Sequence, residues 1–238
     1  MLPNPLIAPP FFEIGPKAYL VGDDVVDLAV AADAAARRYD LDLIFTTPFS
    51  LIARVAAATQ RLVVCAPHMD PLYPGRGLAN ILPEELKASG AKAVMLNHAE
   101  RPITYAILER TIRRAEEVGL MTVVCASSLN EIRAVALLRP DVIVAEPTEL
   151  IGTGTTSDLG YMEASTSAVR EIDPSILVLQ AAGISSGADV YRVMAAGADA
   201  TGSSSGIAAA PDRAAMAEEM LLAARRGWDA CHLLTAHS

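Results

Sequence analysis

The chain has 238 residues, 52% of them hydrophobic and only 5% aromatic, with 28 acidic against 19 basic side chains and a net charge of −9. That length buries a sizeable core in one large α/β domain or two small ones. The acidic balance excludes a nucleic-acid partner, because phosphates demand a basic face and no basic patch offsets the charge. No apolar run approaches the roughly 18 residues that a membrane span requires. The opening residues, with Pro3, Pro5, Pro9 and Pro10, have neither the basic start nor the continuous apolar stretch of a signal peptide. Cys65, Cys125 and Cys231 are odd in number, far apart and without metal-ligand spacing. They read as reduced thiols of a cytoplasmic protein.

Short apolar runs predict strands at 11–14, 41–46, 62–66, 93–96, 121–125, 142–145, 176–180 and 200–203. Each is followed by a stretch of helical period, at 23–38, 49–59, 83–88, 104–118, 128–138, 162–172, 187–196 and 211–226. Pro83 with Glu84 and Glu85 opens one helix and Pro211-Asp212 the last, while Gly119 and Gly197 stop helices ahead of the next strand. The strands are apolar on both faces, which suits parallel strands covered by helices on one side and a barrel core on the other. A doubly wound open sheet is the rival. Eight βα units in so short a chain, with no G-x-G-x-x-G after the first strand, favour a closed (β/α)8 barrel of one domain spanning 1–238. The tail after Arg226 is weakly patterned and is expected to be loosely ordered.

In such a barrel the active site is built at the C-terminal ends of the strands. That rule selects Lys17 after the first strand, Asn97, His98 and Glu100 after the fourth, and Glu146 after the sixth. A lysine, a histidine and a carboxylate at one mouth suit proton transfer alpha to a carbonyl. Each also has a plainer reading: Lys17 as a solvated loop lysine, His98 as a hydrogen-bonded structural histidine. Glu146 is harder to dismiss, since a carboxylate ending a buried apolar strand costs free energy unless it is hydrated, paired or used. Small residues at Ile151-Gly152-Thr153-Gly154, Gly183-Ile184-Ser185 and Ser204-Ser205-Gly206 let backbone N–H groups approach an anion. The last two fall after strands seven and eight, the usual phosphate cradle of these barrels. His68 and Asp70 read as a structural turn rather than as metal ligands.

Several motifs, in order from Gly15 to Ala210, resemble the triosephosphate isomerase family and within it the shorter archaeal-type branch. Gly15-Pro16-Lys17-Ala18-Tyr19 is similar to the family's Asn-x-Lys-x-Tyr segment, and Asn97-His98-Ala99-Glu100-Arg101 to its His-Ser-Glu-Arg motif. Glu146-Pro147 followed by Leu150-Ile151-Gly152-Thr153-Gly154 looks like the family's catalytic glutamate and closing loop.

The resemblance implies a (β/α)8 barrel and a cofactor-free proton shift between dihydroxyacetone phosphate and glyceraldehyde 3-phosphate through an enediolate. Glu146 would carry the proton, His98, held neutral as in this family, would polarise the carbonyl, and Lys17 would steady the negative charge. Glu100 would hold Lys17. Gly152, Gly183, Ser185, Ser205 and Gly206 would bind the phosphate, and 147–155 would form the lid. A homodimer or homotetramer is also implied, with no metal. Three positions depart from the family pattern: Gly15 replaces its asparagine, Ala99 its serine, and Leu78 a threonine of the loop that reaches into the neighbouring subunit. These changes open a second reading, a pocket for a longer ketose phosphate such as a tetrulose phosphate. A third is an inactive barrel that only binds a sugar phosphate.

Overall fold

A computed structural model describes residues 6–150, 158–181 and 183–235 of the chain. Among them eight parallel strands close into a barrel in sequence order: β1 (Phe11–Ile14), β2 (Asp42–Thr46), β3 (Val63–Ala66), β4 (Ala93–Leu96), β5 (Met121–Ala126), β6 (Val142–Ala145), β7 (Leu177–Gln180) and β8 (Ala200–Ser203). β8 returns to β1, pairing Glu13 with Gly202 and Ile14 with Ser203, so no edge remains open.

The helices between the strands are α1 (Asp23–Arg38), α2 (Ile52–Ala58), α3 (Pro83–Ala88), α4 (Tyr105–Val118), α5 (Leu129–Ala136), α6 (Leu159–Arg170) and α7 (Gly187–Ala195). After β8 come α8 (Ser205–Ala208), a short helix that the periodicity does not reveal, and α9 (Arg213–Thr235). Pro83 opens α3 and Gly119 closes α4, as their sequence signals indicate. Thr104, Ser128, Asp158 and Ser186 each cap a helix by accepting a backbone N–H, and Gly119 ends α4 with φ 72°.

Side-chain alternation along the strands divides the apolar interior in two. Phe11, Ile44, Cys65, Val123 and Val144 fill the barrel, whereas Phe12, Ile14, Leu43, Phe45 and Ile143 pack under the helices. Cys65 and Cys125 are buried free thiols, and burial pushes both thiol pKa values up.

The expectation of a loose tail after Arg226 is corrected: α9 runs on to Thr235. Its far half is held by the Arg225–Asp229 ion pair, by Trp228 packed on the core and by the His232 ring stacked on that indole. Gly227 permits this docking, because a Cβ there would lie 2.7 Å from the Tyr191 carbonyl oxygen and 2.8 Å from Met194 Cβ of α7. No helix among the described residues is long and apolar enough to cross a membrane.

Candidate active site

The C-terminal ends of the strands surround a cavity of about 740 Å³. Lys17, His98, Glu100 and Glu146 all border it, as do Gly183, Ser185 and Ser205. Gly206 does not. Gly152 and most of the expected lid lie outside the described residues; of that segment, Thr148–Leu150 form a 3-10 turn directly after Glu146.

The backbone presents these side chains at some conformational cost. Lys17 has φ 45° and Asn97 φ 56°, left-handed values that non-glycine residues adopt rarely. Asn97 holds the β4 loop in shape: its amide donates to the Cys125 carbonyl at 3.0 Å and to Glu131 at 3.1 Å, and its oxygen accepts the Ile103 N–H. The loop so fixed lets the Glu100 N–H donate to His98 Nδ1 at 3.1 Å. A nitrogen that accepts carries no proton, so the ring is the Nε2–H tautomer. That Nε2 lies 3.8 Å from Glu146 Oε2, beyond hydrogen-bond length but within close electrostatic contact. Both side chains are only 15% exposed. On the other wall, Lys17 Nζ meets Glu100 Oε1 at 2.9 Å.

Charges follow from this layout. Burial, and then the Lys17 ammonium, lower the His98 pKa against the opposing pull of Glu100. The imidazole is therefore neutral at pH 7. Burial raises the Glu146 carboxyl, Lys17 opposes and Glu100 adds to the rise. Glu100 is held low chiefly by its hydrogen bond to Lys17. The result is one lysine held by Glu100, one neutral donor and one poorly solvated carboxyl facing the same space.

The loops after β7 and β8 touch at Gly206. A Cβ there would lie 2.7 Å from Ser203 Oγ, 2.8 Å from the Ile184 carbonyl oxygen and 3.0 Å from Ser185 Cα. Gly206 thus joins the two loops rather than facing the cavity. Ser205 and Gly206 leave their backbone N–H groups without an acceptor among the described residues. Ser185 is engaged: its N–H and hydroxyl both donate to Asp189 Oδ2, at 3.2 and 3.0 Å.

The triosephosphate isomerase family profile matches residues 16–209, which hold every one of these side chains. The chain belongs to the triosephosphate isomerase family. It is 33% identical to the triosephosphate isomerase of Saccharolobus solfataricus, over 92% of this chain and 97% of that relative. The triosephosphate isomerase of Sulfurisphaera tokodaii is 32% identical over 93% of this chain and 98% of its own length. That of Methanocaldococcus jannaschii is 33% identical over 79% and 86%. All three are archaeal, in agreement with the branch that the motifs indicate.

For a member of this isomerase family, one cavity group stands apart from the motifs. Glu13 of β1, buried at 9% exposure, borders the same cavity and accepts a hydrogen bond from Thr46 at 2.7 Å. The available signal was a lone carboxylate inside the apolar run Phe11-Phe12-Glu13-Ile14. His68 and Asp70, by contrast, form the turn: they lie 3.4 Å apart, and Asp70 accepts the Ile81 N–H at 2.7 Å.

Proposed function

We propose that the chain is an aldose–ketose isomerase that interconverts dihydroxyacetone phosphate and glyceraldehyde 3-phosphate through an enediolate. The observation that carries this reading is the Nε2–H of a neutral His98 placed 3.8 Å from the largely buried carboxylate of Glu146, with the Lys17 ammonium beside them. Glu146 takes a proton from the carbon next to the carbonyl and returns it to the neighbouring carbon. The His98 N–H donates to the carbonyl oxygen as charge develops there, and Lys17, anchored by Glu100, offsets the enediolate and phosphate charge. The shift is internal to the substrate, so it requires no cofactor. Gly183, Ser185, Ser205 and Gly206 are our choice for the phosphate: the Ser205 N–H, without an acceptor among the described residues, lies at the cavity, and Gly206 sets its loop against that of Ser185. Gly152 and the segment after Pro147 are our choice for the lid that excludes water.

A homo-oligomer belongs to the same reading. Leu78, in the loop after β3, is fully exposed and is our choice for a side chain that a partner subunit covers. A cytoplasmic location is supported by two buried unpaired thiols.

A second substrate, a longer ketose phosphate, is favoured by one observation: position 15 carries no side chain at the edge of the cavity. The deciding experiment is an isomerase assay of purified protein on dihydroxyacetone phosphate beside the tetrulose phosphates. Turnover of the triose supports the first reading and turnover of a tetrulose phosphate alone replaces it. No turnover of either leaves a sugar-phosphate-binding barrel.

A further inference from the structure

The isomerase mechanism leaves Glu13 unused, although it is a buried carboxyl that borders the cavity. Strand alternation sends its side chain into the barrel with Phe11, while Phe12 and Ile14 turn outward under the helices. There it joins a floor made of Met95, Cys125, Val144 and Leu179, beneath the ring of loop residues that carries Lys17, His98 and Glu146. The Thr46 hydroxyl donates to Oε1, and among the described residues Oε2 has no hydrogen-bond partner. Among the described residues no cation forms an ion pair with it, and Lys17 is bonded to Glu100 instead. A carboxyl held this way is destabilising unless cavity solvent or a further hydrogen bond reaches it, and it opens on the cavity.

The backbone around Glu13 is built to admit it. A Cβ at Gly15 would stand 3.0 Å from Glu13 Oε1, and a Cβ at Gly202 would stand 2.7 Å from the Glu13 carbonyl oxygen and 3.2 Å from Oε2. Any side chain at 15 competes with the carboxyl for one space. The absence of a side chain at Gly15 thus leaves the space beside it to the Glu13 carboxyl, a hydrogen-bond acceptor set in the floor of the pocket.

We infer that Glu13 is a specificity-determining residue whose carboxyl accepts a hydrogen bond from a substrate hydroxyl beyond the reacting carbons, so that the pocket takes a ketose phosphate one hydroxymethyl carbon longer than the triose. This rests on the isomerase reading above. With the phosphate at the mouth and the reacting pair between His98 and Glu146, an added carbon points down to the floor, and its hydroxyl donates to Oε2. In a tetrulose 1-phosphate the proton leaves C3 and arrives at C2. The C2 carbonyl becomes a hydroxyl as the C3 hydroxyl becomes a carbonyl, giving the tetrulose 4-phosphate with no other reactant. The same Glu146, His98 and Lys17 serve both substrates; only the hydroxymethyl group is new, and a buried acceptor discriminates strongly for a substrate that supplies its missing hydrogen bond.

The test compares kcat/KM for dihydroxyacetone phosphate and a tetrulose 1-phosphate in the wild type, Glu13→Gln and Glu13→Ala, with circular dichroism to establish that each variant folds. The wild type turns over the tetrulose 1-phosphate. Both variants lower the tetrulose-to-triose ratio of kcat/KM at least tenfold, Glu13→Ala more than the nearly isosteric Glu13→Gln, and chiefly through KM. The inference is overturned if the wild type isomerises only the triose, or if both substrates fall in parallel, as a purely structural role for Glu13 requires. Turnover of neither substrate by the wild type overturns the isomerase reading itself and this inference with it.

Discussion

His98 Nε2 lies 3.8 Å from Glu146 Oε2, and the other nitrogen of the same ring accepts the Glu100 N–H. One backbone hydrogen bond thus fixes which nitrogen carries the proton toward the carboxylate. The two pKa shifts run in opposite directions, Glu146 above its ordinary 4.5 and His98 below its ordinary 6.5, both mainly through burial. The reaction needs Glu146 ionised, so kcat/KM falls as pH drops through the raised Glu146 value. The acid limb therefore lies above pH 4.5, and His98 adds no loss at pH 7. A pH–rate profile checks the limb, and nitrogen chemical shifts of His98 check the ring. An imidazolium at pH 7 contradicts the layout.

Glu13 should leave a separate mark on stability. Its pKa is pushed up to about 7, first by burial and then by the nearby Glu146 carboxylate, with the Thr46 hydrogen bond and Lys17 pulling the other way. In the unfolded chain the same carboxyl loses its proton near 4.5. Between those values the folded state binds more protons, so this group makes the protein less stable as pH rises through the window, by at most on the order of 3 kcal/mol. Urea unfolding from pH 5 to 8 should show the wild type losing stability relative to Glu13→Gln. Parallel curves for the two proteins contradict the shift.

Gly206→Ala places a methyl group against Ser203 Oγ, the Ile184 carbonyl and Ser185 Cα, all within 3.0 Å. Because two of the three are backbone contacts, the loops after β7 and β8 must part. A destabilisation of about 1–3 kcal/mol is expected from such overpacking. Weaker binding of inorganic phosphate should accompany it. Thermal unfolding and calorimetric titration measure the two effects; unchanged phosphate binding argues against these loops as the anion site.

Leu78→Glu tests the oligomer. A charge on this exposed apolar side chain should shift sedimentation of the protein toward the monomer, with little change in the helical signal. An unaltered sedimentation profile removes Leu78 from any subunit contact.

The barrel was legible because parallel strands buried on both faces leave continuous apolar runs, and every one of the eight lies within two residues of its expected bounds. Lys17, His98, Glu100 and Glu146 were legible by position, as the polar residues that directly follow such runs. α8 was not, being a single turn, Ser-Gly-Ile-Ala, too short to show a period. The continuation of α9 was hidden for another reason: its far half is fixed by Gly227 against α7 and by Trp228, tertiary contacts that no local pattern records. Glu13 was hidden by its own neighbours. Inside Phe11-Phe12-Glu13-Ile14 it looks like a flaw in a strand, and only the closed barrel brings it to Thr46, Gly15 and the cavity.

The central claim is that Glu146 moves a proton between adjacent carbons of a small ketose phosphate. Its most direct measurement is deuterium uptake and isomer formation in D2O, with dihydroxyacetone phosphate and a tetrulose 1-phosphate as substrates, for the wild type and Glu146→Gln. The wild type should convert at least one substrate and place solvent deuterium on the reacting carbon. The variant, folded by circular dichroism, should be slower by about 10²–10⁴-fold, the usual contribution of a positioned base. Full activity in Glu146→Gln, or product formed by a wild type that leaves both reacting carbons unexchanged in the variant-sensitive step, would contradict the account.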